Sequence, residues 1–241
     1  LGVGGGVITI PLMVSLLKIG QLKAHGTSLV ALVFIGIAGA ITYALEGSVD
    51  IAASFLLAVT AVFTAQAGAR FAHVLPEWKL KRAFGAFLVS VSLLLVLKPY
   101  LSHLSFSVMG WAKMCVLLLT GLFTGFLSGM MGVGGGAIMI PVMVLLVGFS
   151  QHTAQGSSLL VMVPAGIAGA ATHWHLGNVE KNILFSLVPG ILLGTYAGGS
   201  LAHLLTEGYL RLTFAGVLAW TGVRYLKTSN SDGKNASSQE K

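Results

Sequence analysis

Long apolar segments separated by short polar ones make up most of this chain. Seven of them approach or reach the roughly 17–25 residues that a helix needs to cross a bilayer. They are 27–45, 51–75, 83–97, 114–130, 157–172, 183–205 and 212–226. A helix on the surface of a soluble domain keeps one polar face toward water, and these segments are too uniformly apolar for that. The pattern predicts an all-α integral membrane protein, a helical bundle that crosses the bilayer several times.

Composition supports the membrane class. Hydrophobic residues make up 55% of the chain and charged residues 9%, against roughly 25% charged in ordinary soluble domains. The formal net charge is +7, and the basic residues lie between apolar segments and in the polar tail. That distribution orients membrane proteins, and no basic run is interleaved with aromatics. We therefore expect the lipid bilayer and a small-molecule substrate as partners, and no nucleic acid. The oligomeric state stays open.

The chain contains one unit twice. Shifted by 130 residues it aligns with itself without a gap, and 25 of the 50 positions in 1–50 are identical to their counterparts in 131–180. The apolar helix predicted at 111–130 precedes the second copy and has no counterpart before Leu1, so we expect a first helix to be missing from this chain. The predicted domains are a first membrane repeat at 1–97, an extramembrane linker at 98–110, a second membrane repeat at 111–227 and a disordered polar tail at 228–241.

The orientation of the two copies depends on one short segment. Residues 136–147 are apolar but too short for a full span, so they predict a half helix or a re-entrant segment. If the segment crosses, each unit has five crossings and the copies are inverted; if it is re-entrant, each has four and they are parallel. Basic residues at 76–82 and in the tail place both in the cytoplasm, with 98–112 outside. An odd number of crossings follows, which favours inverted repeats.

The strongest motif is a glycine run followed by a short apolar segment with proline. It occurs as GVGGGVITIP from Gly2 and as GVGGGAIMIP from Gly132. Glycines break the helix and let a ligand approach the backbone, and the helix that follows begins with free N–H groups that attract anions. Paired interruptions in two halves point to a transporter's binding site. The alternative is that the glycines only allow close helix packing. The predicted substrate-binding residues are Gly4, Gly5, Gly6, Gly134, Gly135 and Gly136.

Two soluble-protein interpretations of the glycine runs fail on their context. A dinucleotide fingerprint needs a preceding strand and an acidic residue about 20 positions later, and residues 21–26 contain no such residue. A phosphate-binding loop needs Gly-Lys followed by Ser or Thr, which does not occur in the chain. Nothing in the sequence indicates a cofactor.

A second repeated motif follows each glycine run. It reads AHGTSL in the first copy and AQGSSL in the second, with hydroxyls at Thr27, Ser28, Ser157 and Ser158. Hydroxyl residues before an apolar helix are typical N-caps, so one interpretation is that they cap their own helices. The other is that their hydroxyls join the glycine segments in binding an oxyanion. Neutral donors suit a carrier because the ligand must also leave.

Ionisable residues are scarce in the apolar segments, although such residues in membranes are often functional. Arg70 lies near a segment end and is expected to reach the interface. His73 recurs as His203, and Lys81 as Arg211, next to helix ends. These four could guide anions or titrate, but interfacial anchoring is the favoured interpretation. No Asp or Glu lies in the middle of a helix, so the sequence does not indicate a carboxylate proton carrier.

Enzyme and metal chemistry find little support. His173 and His175 could form a metal pair or an aromatic-flanked interfacial anchor, but the first copy has Tyr43 and Leu45 there, and no carboxylate cluster accompanies them. Cys115 lies alone in an apolar segment, where packing is its expected role. There are no paired carboxylates and no nucleophile with a neighbouring base. We expect no catalytic residues and no bound metal.

With both glycine motifs and both hydroxyl motifs in place, the chain resembles the TauE/SafE sulfite exporter family of bacterial membrane proteins. The resemblance implies a secondary transporter in the plasma membrane, the bacterial inner membrane, that exports sulfite, organosulfonates or related sulfur-containing anions. It implies the same site residues, namely Gly4, Gly5, Gly6, Thr27, Ser28, Gly134, Gly135, Gly136, Ser157 and Ser158. The alternatives are a membrane-embedded enzyme or accessory subunit, and a metal-ion transporter.

Overall fold

The computed structural model describes residues 2, 4–72, 77–99 and 110–227. Over these residues the chain folds into nine α-helices without a β-strand. They are α1 Gly6–Leu16, α2 Gln21–Leu45, α3 Ile51–Phe71, α4 Glu77–Leu97, α5 Trp111–Met131, α6 Gly136–Val142, α7 Gln151–His175, α8 Lys181–Leu204 and α9 Glu207–Leu226. A π-helical segment, Met143–Val147, continues α6.

Five helices are long and apolar enough to cross a membrane: α2, α3, α5, α7 and α8. Their outward surfaces carry large apolar side chains such as Phe63 and Leu193, each 73% exposed, which in a bilayer would face lipid. The predicted class, an all-helical protein embedded in the membrane, is therefore confirmed. Helix α9 is not among the five, because Glu207, Arg211 and Arg224 shorten its apolar run.

Two helices are much shorter than a membrane is thick. Helix α1 has 11 residues, and α6 with its π-helical continuation covers Gly136–Val147. At 1.5 Å per residue each is roughly 17 Å long, about half of a bilayer's hydrocarbon core. The predicted short helix at 136–147 is therefore present, and α1 is a second helix of the same kind.

Several helix ends differ from the sequence-based expectation. Helices α2 and α7 begin at Gln21 and Gln151, six residues before the segments predicted at 27–45 and 157–172. The side chain of Ser150 caps α7 by accepting a hydrogen bond from Thr153 N, so the helix starts where a cap is available rather than where apolar residues begin. Helix α3 ends at Phe71. The polar tail, and the linker between 100 and 109, lie outside the described residues.

Helices α3 and α5 pack side by side in the same direction. Gly121, Gly125 and Gly129 of α5 lie against the backbone of α3, where a Cβ atom would come within 2.1–2.3 Å of a carbonyl oxygen. Those carbonyl groups belong to Leu57, Ala61 and Ala65, in this order. Because the contacts advance along both helices together, α3 and α5 are parallel. Small residues four apart allow such close approach between membrane helices, so these two helices form a tightly packed pair.

Helices α2 and α7 run in opposite directions. Gly36 of α2 packs on Leu159, near the start of α7, whereas Gly166 of α7 packs near Leu29, at the start of α2. Helices α4 and α9 are also antiparallel. Gly85, in the first half of α4, packs against Gly222 near the end of α9. Ser92 Oγ, later in α4, donates to the Ala215 carbonyl oxygen, earlier in α9, at 2.8 Å.

Helix α8 stands apart from this close packing. A Cβ atom added at Gly190, Gly194 or Gly198 would have no other atom within 4 Å, apart from its own helix backbone and chain neighbours. Only 12% of its most apolar stretch is buried. Among the described residues α8 is thus the candidate spanning helix whose apolar stretch is least buried, and Gly190, Gly194 and Gly198 are positions at which a substitution should change little.

Candidate functional site

The two glycine segments cross each other in the middle of the bundle. A Cβ atom on Gly4 would lie 3.2 Å from the Cα of Gly134 and 3.3 Å from Met162 Sδ of α7. Gly4 and Gly134 have φ values of 92° and 85°, a backbone conformation that favours glycine over residues with a side chain. The crossing therefore requires glycine for two reasons, backbone conformation and the absence of a side chain.

The half helices α1 and α6 each begin next to the glycine segment that precedes the other one. At Gly6, the first residue of α1, a Cβ atom would lie 2.2 Å from the carbonyl oxygen of Gly132. At Gly136, the first residue of α6, it would lie 1.8 Å from the carbonyl oxygen of Gly2. The N-terminal ends of α1 and α6 are thus brought next to each other at the crossing, together with Gly5 and Gly135.

Ser28 holds the second glycine segment in place. Ser28 Oγ donates to the Gly132 carbonyl oxygen at 2.7 Å, with the carbonyl oxygen of His25 at 3.0 Å. Ser158 Oγ donates to the Gln155 carbonyl oxygen of its own helix at 2.8 Å and lies 3.4 Å from the Gly2 carbonyl oxygen. A hydroxyl has one hydrogen to donate. Ser28 therefore fixes the glycine segment at Gly132, whereas Ser158 bonds within α7 and makes only a longer contact with the segment at Gly2.

Thr27 and Ser157 connect the start of one helix to the loop before another. Thr27 Oγ1 accepts a hydrogen bond from Glu180 N at 2.9 Å, and Ser157 Oγ accepts one from Asp50 N at 2.9 Å. The interpretation that the hydroxyl residues cap their own helices is wrong, because those helices begin six residues earlier. Their partners instead lie just before α8 and α3.

Nine of the ten predicted site residues are buried. The four hydroxyl side chains are 0–1% exposed, and five of the six glycines are buried, with Gly5 at an intermediate exposure. The buried polar side chains in the described residues are hydroxyls, histidines and glutamines, without a Lys, Arg, Asp or Glu. The centre of the bundle is therefore polar but carries no permanent side-chain charge.

Two further sets of polar side chains, which the sequence analysis did not connect with each other, lie at opposite ends of α2 and α7. Tyr43 Oη donates to Gln155 Oε1 at 2.7 Å. At the other end, His25 Nδ1 hydrogen-bonds the carbonyl oxygen of Met131, and His173 Nε2 that of Gly129 at 3.1 Å. The 130-residue repeat is the sequence feature that could have connected these four residues. Gln155 stands 130 positions after His25, and His173 stands 130 positions after Tyr43.

The other ionisable candidates lie away from the crossing. His203 Nδ1 bonds the carbonyl oxygen of Gly199 in its own helix at 2.9 Å, and its ring contacts Tyr43 at a centroid distance of 4.5 Å. Arg70 is exposed near the end of α3. His73 and the side chain of Lys81 lie outside the described parts of the chain.

His173 and His175 do not face the same environment. His173 is fully buried, whereas His175 is exposed at the end of α7. Within 4–72, 77–99 and 110–227, no three His, Cys, Asp or Glu side chains lie close enough to hold a metal ion. A cavity of about 400 Å³ lies between α4, α5 and α6, lined by apolar residues such as Phe84, Phe123 and Ile138. None of the ten predicted site residues lines it.

The helices and the crossing glycine segments define a polytopic membrane protein with half helices meeting inside the bundle, an architecture found in membrane transporters. The family model described as "Sulfite exporter TauE/SafE" matches residues 1–225. The chain belongs to that family, and it is a membrane transporter by family membership.

Three relatives illustrate the match. "Probable membrane transporter protein YunE" of Bacillus subtilis (strain 168) is 25% identical over 223 residues, which cover 83% of this chain and 82% of the relative. "Probable membrane transporter protein MJ0441" of Methanocaldococcus jannaschii is 23% identical over 237 residues, 92% of this chain and 87% of the relative. "Sulfite exporter TauE/SafE family protein 5" of Arabidopsis thaliana is 30% identical over 95 residues, 39% and 21% of the two chains. No solved structure matches.

Proposed function

We propose that this protein is a secondary transporter of a small, sulfur-containing anion such as sulfite or an organosulfonate. The observation that carries the proposal is the meeting of two helix N-termini at the Gly4–Gly134 crossing. The first N–H groups of a helix lack partners in that helix, and together they act as roughly half a positive charge. Two such ends beside glycines, where no side chain blocks the backbone, form a natural site for an oxyanion.

The surrounding chemistry suits a carrier better than a permanent binding protein. The described buried side chains around the crossing are neutral or titratable, without Lys or Arg. Backbone amides bind an anion through partial charges, so the anion is held without a full ion pair. In this proposal Gly4–Gly6 and Gly134–Gly136 line the anion site, with Gly6 N held by the Gly4 carbonyl oxygen at 2.7 Å. Ser28 positions the second glycine segment.

We propose that the two copies are inverted repeats, in which α1 to α4 are matched by α6 to α9. Helices α2 and α7 occupy matched positions in the repeat and run antiparallel, as do α4 and α9. Two equivalent membrane helices related by a twofold axis run antiparallel only when that axis lies in the membrane plane. The contacts also occur as a matched pair. Ser158 stands 130 positions after Ser28, and Gly132 stands 130 positions after Gly2, so the contact of Ser28 with Gly132 has the contact of Ser158 with Gly2 as its counterpart. These relations support the inverted arrangement.

Transport then follows from the position of the site between the two copies. Rocking of one repeat against the other would expose the crossing first to one side and then to the other. The parallel α3–α5 pair is closely packed along its length, so it is suited to move as a unit. We propose the cytoplasmic membrane as the location and export as the direction. The basic residues Lys79, Lys81 and Arg82 at the start of α4 and the family description "Sulfite exporter TauE/SafE" support this.

The test is flux in proteoliposomes containing the purified protein. Vesicles are loaded with unlabelled sulfite, and entry of radiolabelled sulfite is compared with protein-free vesicles. Saturable entry that methanesulfonate inhibits would support an anion carrier. Entry of Zn²⁺ that is lost when His173 and His175 are replaced would instead indicate a metal-ion transporter. Chemical conversion of the substrate without net flux would indicate an enzyme. Either of these last two results would contradict the proposal.

A further inference from the structure

The cavity between α4, α5 and α6 has walls that suit an apolar occupant. Its volume of about 400 Å³ falls within the roughly 300–1,000 Å³ typical of ligand sites. Among the described residues that line it, Thr120 alone is polar, and its Oγ1 donates to the Val116 carbonyl oxygen of its own helix at 2.6 Å. Apolar cavities stay dry and accept apolar ligands. We therefore asked which apolar group this cavity fits.

The cavity opens toward the surface that would face lipid. Phe84 and Ile138 line its inner part and are 6% and 9% exposed, whereas Phe123 and Leu119 line its outer part and are 64% and 60% exposed. Both exposed residues belong to α5, one of the five helices long and apolar enough to cross a membrane. An occupant therefore enters this cavity from the bilayer rather than from water.

The cavity is elongated along the helices that form it. Its lining residues in α5 run from Leu119 to Leu127, which is about 12 Å along the helix axis at 1.5 Å per residue. In α4 they run from Ala83 to Phe87, about 6 Å by the same measure. Because α5 is a candidate spanning helix, this long direction is also the direction of the lipid acyl chains. The shape therefore favours one acyl chain over a compact apolar molecule.

Basic residues stand at the start of α4, directly before the cavity. They are Lys79, Lys81 and Arg82. Lys79 stands four positions before the lining residue Ala83, on the same face of the helix and about 6 Å away along its axis. The apolar part of α4 begins at Arg82, so these residues stand where the helix meets the membrane surface. Basic residues at that depth attract the headgroups of anionic lipids.

The neighbouring helix ends add further positive charge. The end of α9, which packs against the first half of α4, carries Arg224 and Lys227. The end of α3, which packs beside α5, carries Arg70, and Arg70 is exposed. In the described parts of these three helix ends, Glu77 is the one acidic residue. The charge beside the cavity therefore favours a negatively charged headgroup over a neutral one.

Helix α6 would gain packing from an acyl chain in this cavity. Ile138 and Val142 of α6 line the cavity, and α6 begins at Gly136, beside the glycine crossing. A bound chain would fill the space between α4 and this half helix. It would bury apolar surface on both of them, which is favourable for any apolar group that the bilayer can supply in the right place.

We propose that this cavity binds an anionic phospholipid. One acyl chain lies between α4, α5 and α6, and the headgroup lies beside the basic residues at the start of α4. The apolar walls select the chain, and the basic helix ends select the charge of the headgroup. This inference goes beyond the proposed transport function and does not depend on which substrate the protein carries.

The headgroup preference is tested by native mass spectrometry. The purified protein is mixed with equal amounts of phosphatidylglycerol and phosphatidylcholine that carry identical acyl chains, and the retained lipids are identified. We expect the wild type to retain phosphatidylglycerol in preference. The variant K79Q/K81Q should lose this preference, because each basic residue near a headgroup strengthens anionic-lipid binding about fivefold. The matched control K234Q/K241Q removes the same charge from the polar tail and should behave like the wild type.

A second pair of variants tests the position of the acyl chain. A83F places an aromatic ring in the cavity, whereas A86F adds the same ring at an exposed position of α4 that does not line it. A83F should lose the retention of both lipids, and A86F should retain phosphatidylglycerol like the wild type. Equal retention by folded A83F and A86F would overturn the proposal.

Two further outcomes would also overturn it. One is a wild type that retains both lipids equally or neither of them. The other is the same preference for phosphatidylglycerol in K79Q/K81Q as in K234Q/K241Q, and this comparison decides the matter if A83F does not fold. Because lipid retention is measured without any transport, these results leave the proposed anion carrier to be judged by its own flux experiment.

Discussion

Gly4 lies directly against Gly134: a Cβ atom on Gly4 would stand 3.2 Å from the Cα of Gly134. The two residues are 130 positions apart, which is the repeat length, so each is the counterpart of the other. If a twofold axis relates the two copies, as proposed above, it passes through this contact. The N-termini of α1 and α6 begin two residues further along each chain segment.

Replacing Ser28 by alanine should weaken the crossing. The change removes the donor to the carbonyl oxygen of Gly132, and a lost hydrogen bond of this kind costs about 0.5–1.5 kcal/mol. We expect a lower unfolding temperature in detergent and several-fold slower sulfite exchange. S158A should slow exchange less, because Ser158 Oγ donates to the Gln155 carbonyl oxygen of its own helix at 2.8 Å and lies 3.4 Å from the Gly2 carbonyl oxygen.

The matched control for this series is S90A. Ser90 is exposed and bonds only Ala86 of its own helix at 3.0 Å. The S90A substitution should leave both sulfite exchange and the unfolding temperature unchanged. A bulky apolar residue, as in S28L, should abolish exchange while the protein still inserts into membranes. Unchanged exchange in S28L would show that the segment held by Ser28 is not part of the transport site.

The Tyr43 hydroxyl should contribute measurably to stability. Tyr43 is 1% exposed, and in Y43F the buried Gln155 amide loses its hydrogen-bond donor. Leaving a buried polar group unpaired costs about 1–3 kcal/mol. The thermal unfolding midpoint of Y43F should drop, whereas that of Y196F, whose tyrosine is 63% exposed, should not. Equal midpoints for both variants would argue against the Tyr43–Gln155 bond.

Inverted copies place matched loops on opposite sides of the membrane. Glu46 and Leu176 are 130 positions apart and both exposed at the ends of α2 and α7. In a background carrying C115S, the single variants E46C and L176C are treated in intact cells with a membrane-impermeant maleimide. E46C should be labelled from outside, and L176C only after the cells are opened.

Labelling of both cysteines from the same side would establish parallel copies and contradict the inverted arrangement. Complete labelling of both variants in detergent serves as the control, because it shows that each cysteine is reactive once the membrane is removed. The experiment needs no knowledge of the substrate, so it tests the architecture separately from the function.

The sequence was sufficient to predict the helical membrane class and the short helix at 136–147. Both depend on the length of apolar runs, which a single sequence reports directly. The repeat at 130 residues also identified the glycine segments that the structure brings together. The start of α2 could not be read this way, because its first turns contain Gln21, Lys23 and His25, residues that look like a loop until their burial is known.

The contacts that define the site depend on distant pairs. Ser28 bonds a carbonyl 104 residues away, and His25 bonds one 106 residues away. Nothing local in the sequence distinguishes a hydroxyl that caps its own helix from one that reaches another segment. The buried histidines were missed for the same reason: His173 was considered with His175 as a pair near the interface, but only His173 faces the interior.

The most direct test of an anion pathway through the glycine crossing compares two alanine substitutions in sulfite exchange. In G136A the new Cβ would stand 1.8 Å from the carbonyl oxygen of Gly2, whereas in G194A nothing else lies within 4 Å. Both proteins are first shown to elute as folded, monodisperse species in detergent. The account predicts that G194A exchanges sulfite like the wild type and that G136A falls to the level of protein-free vesicles. Wild-type exchange in folded G136A would contradict it.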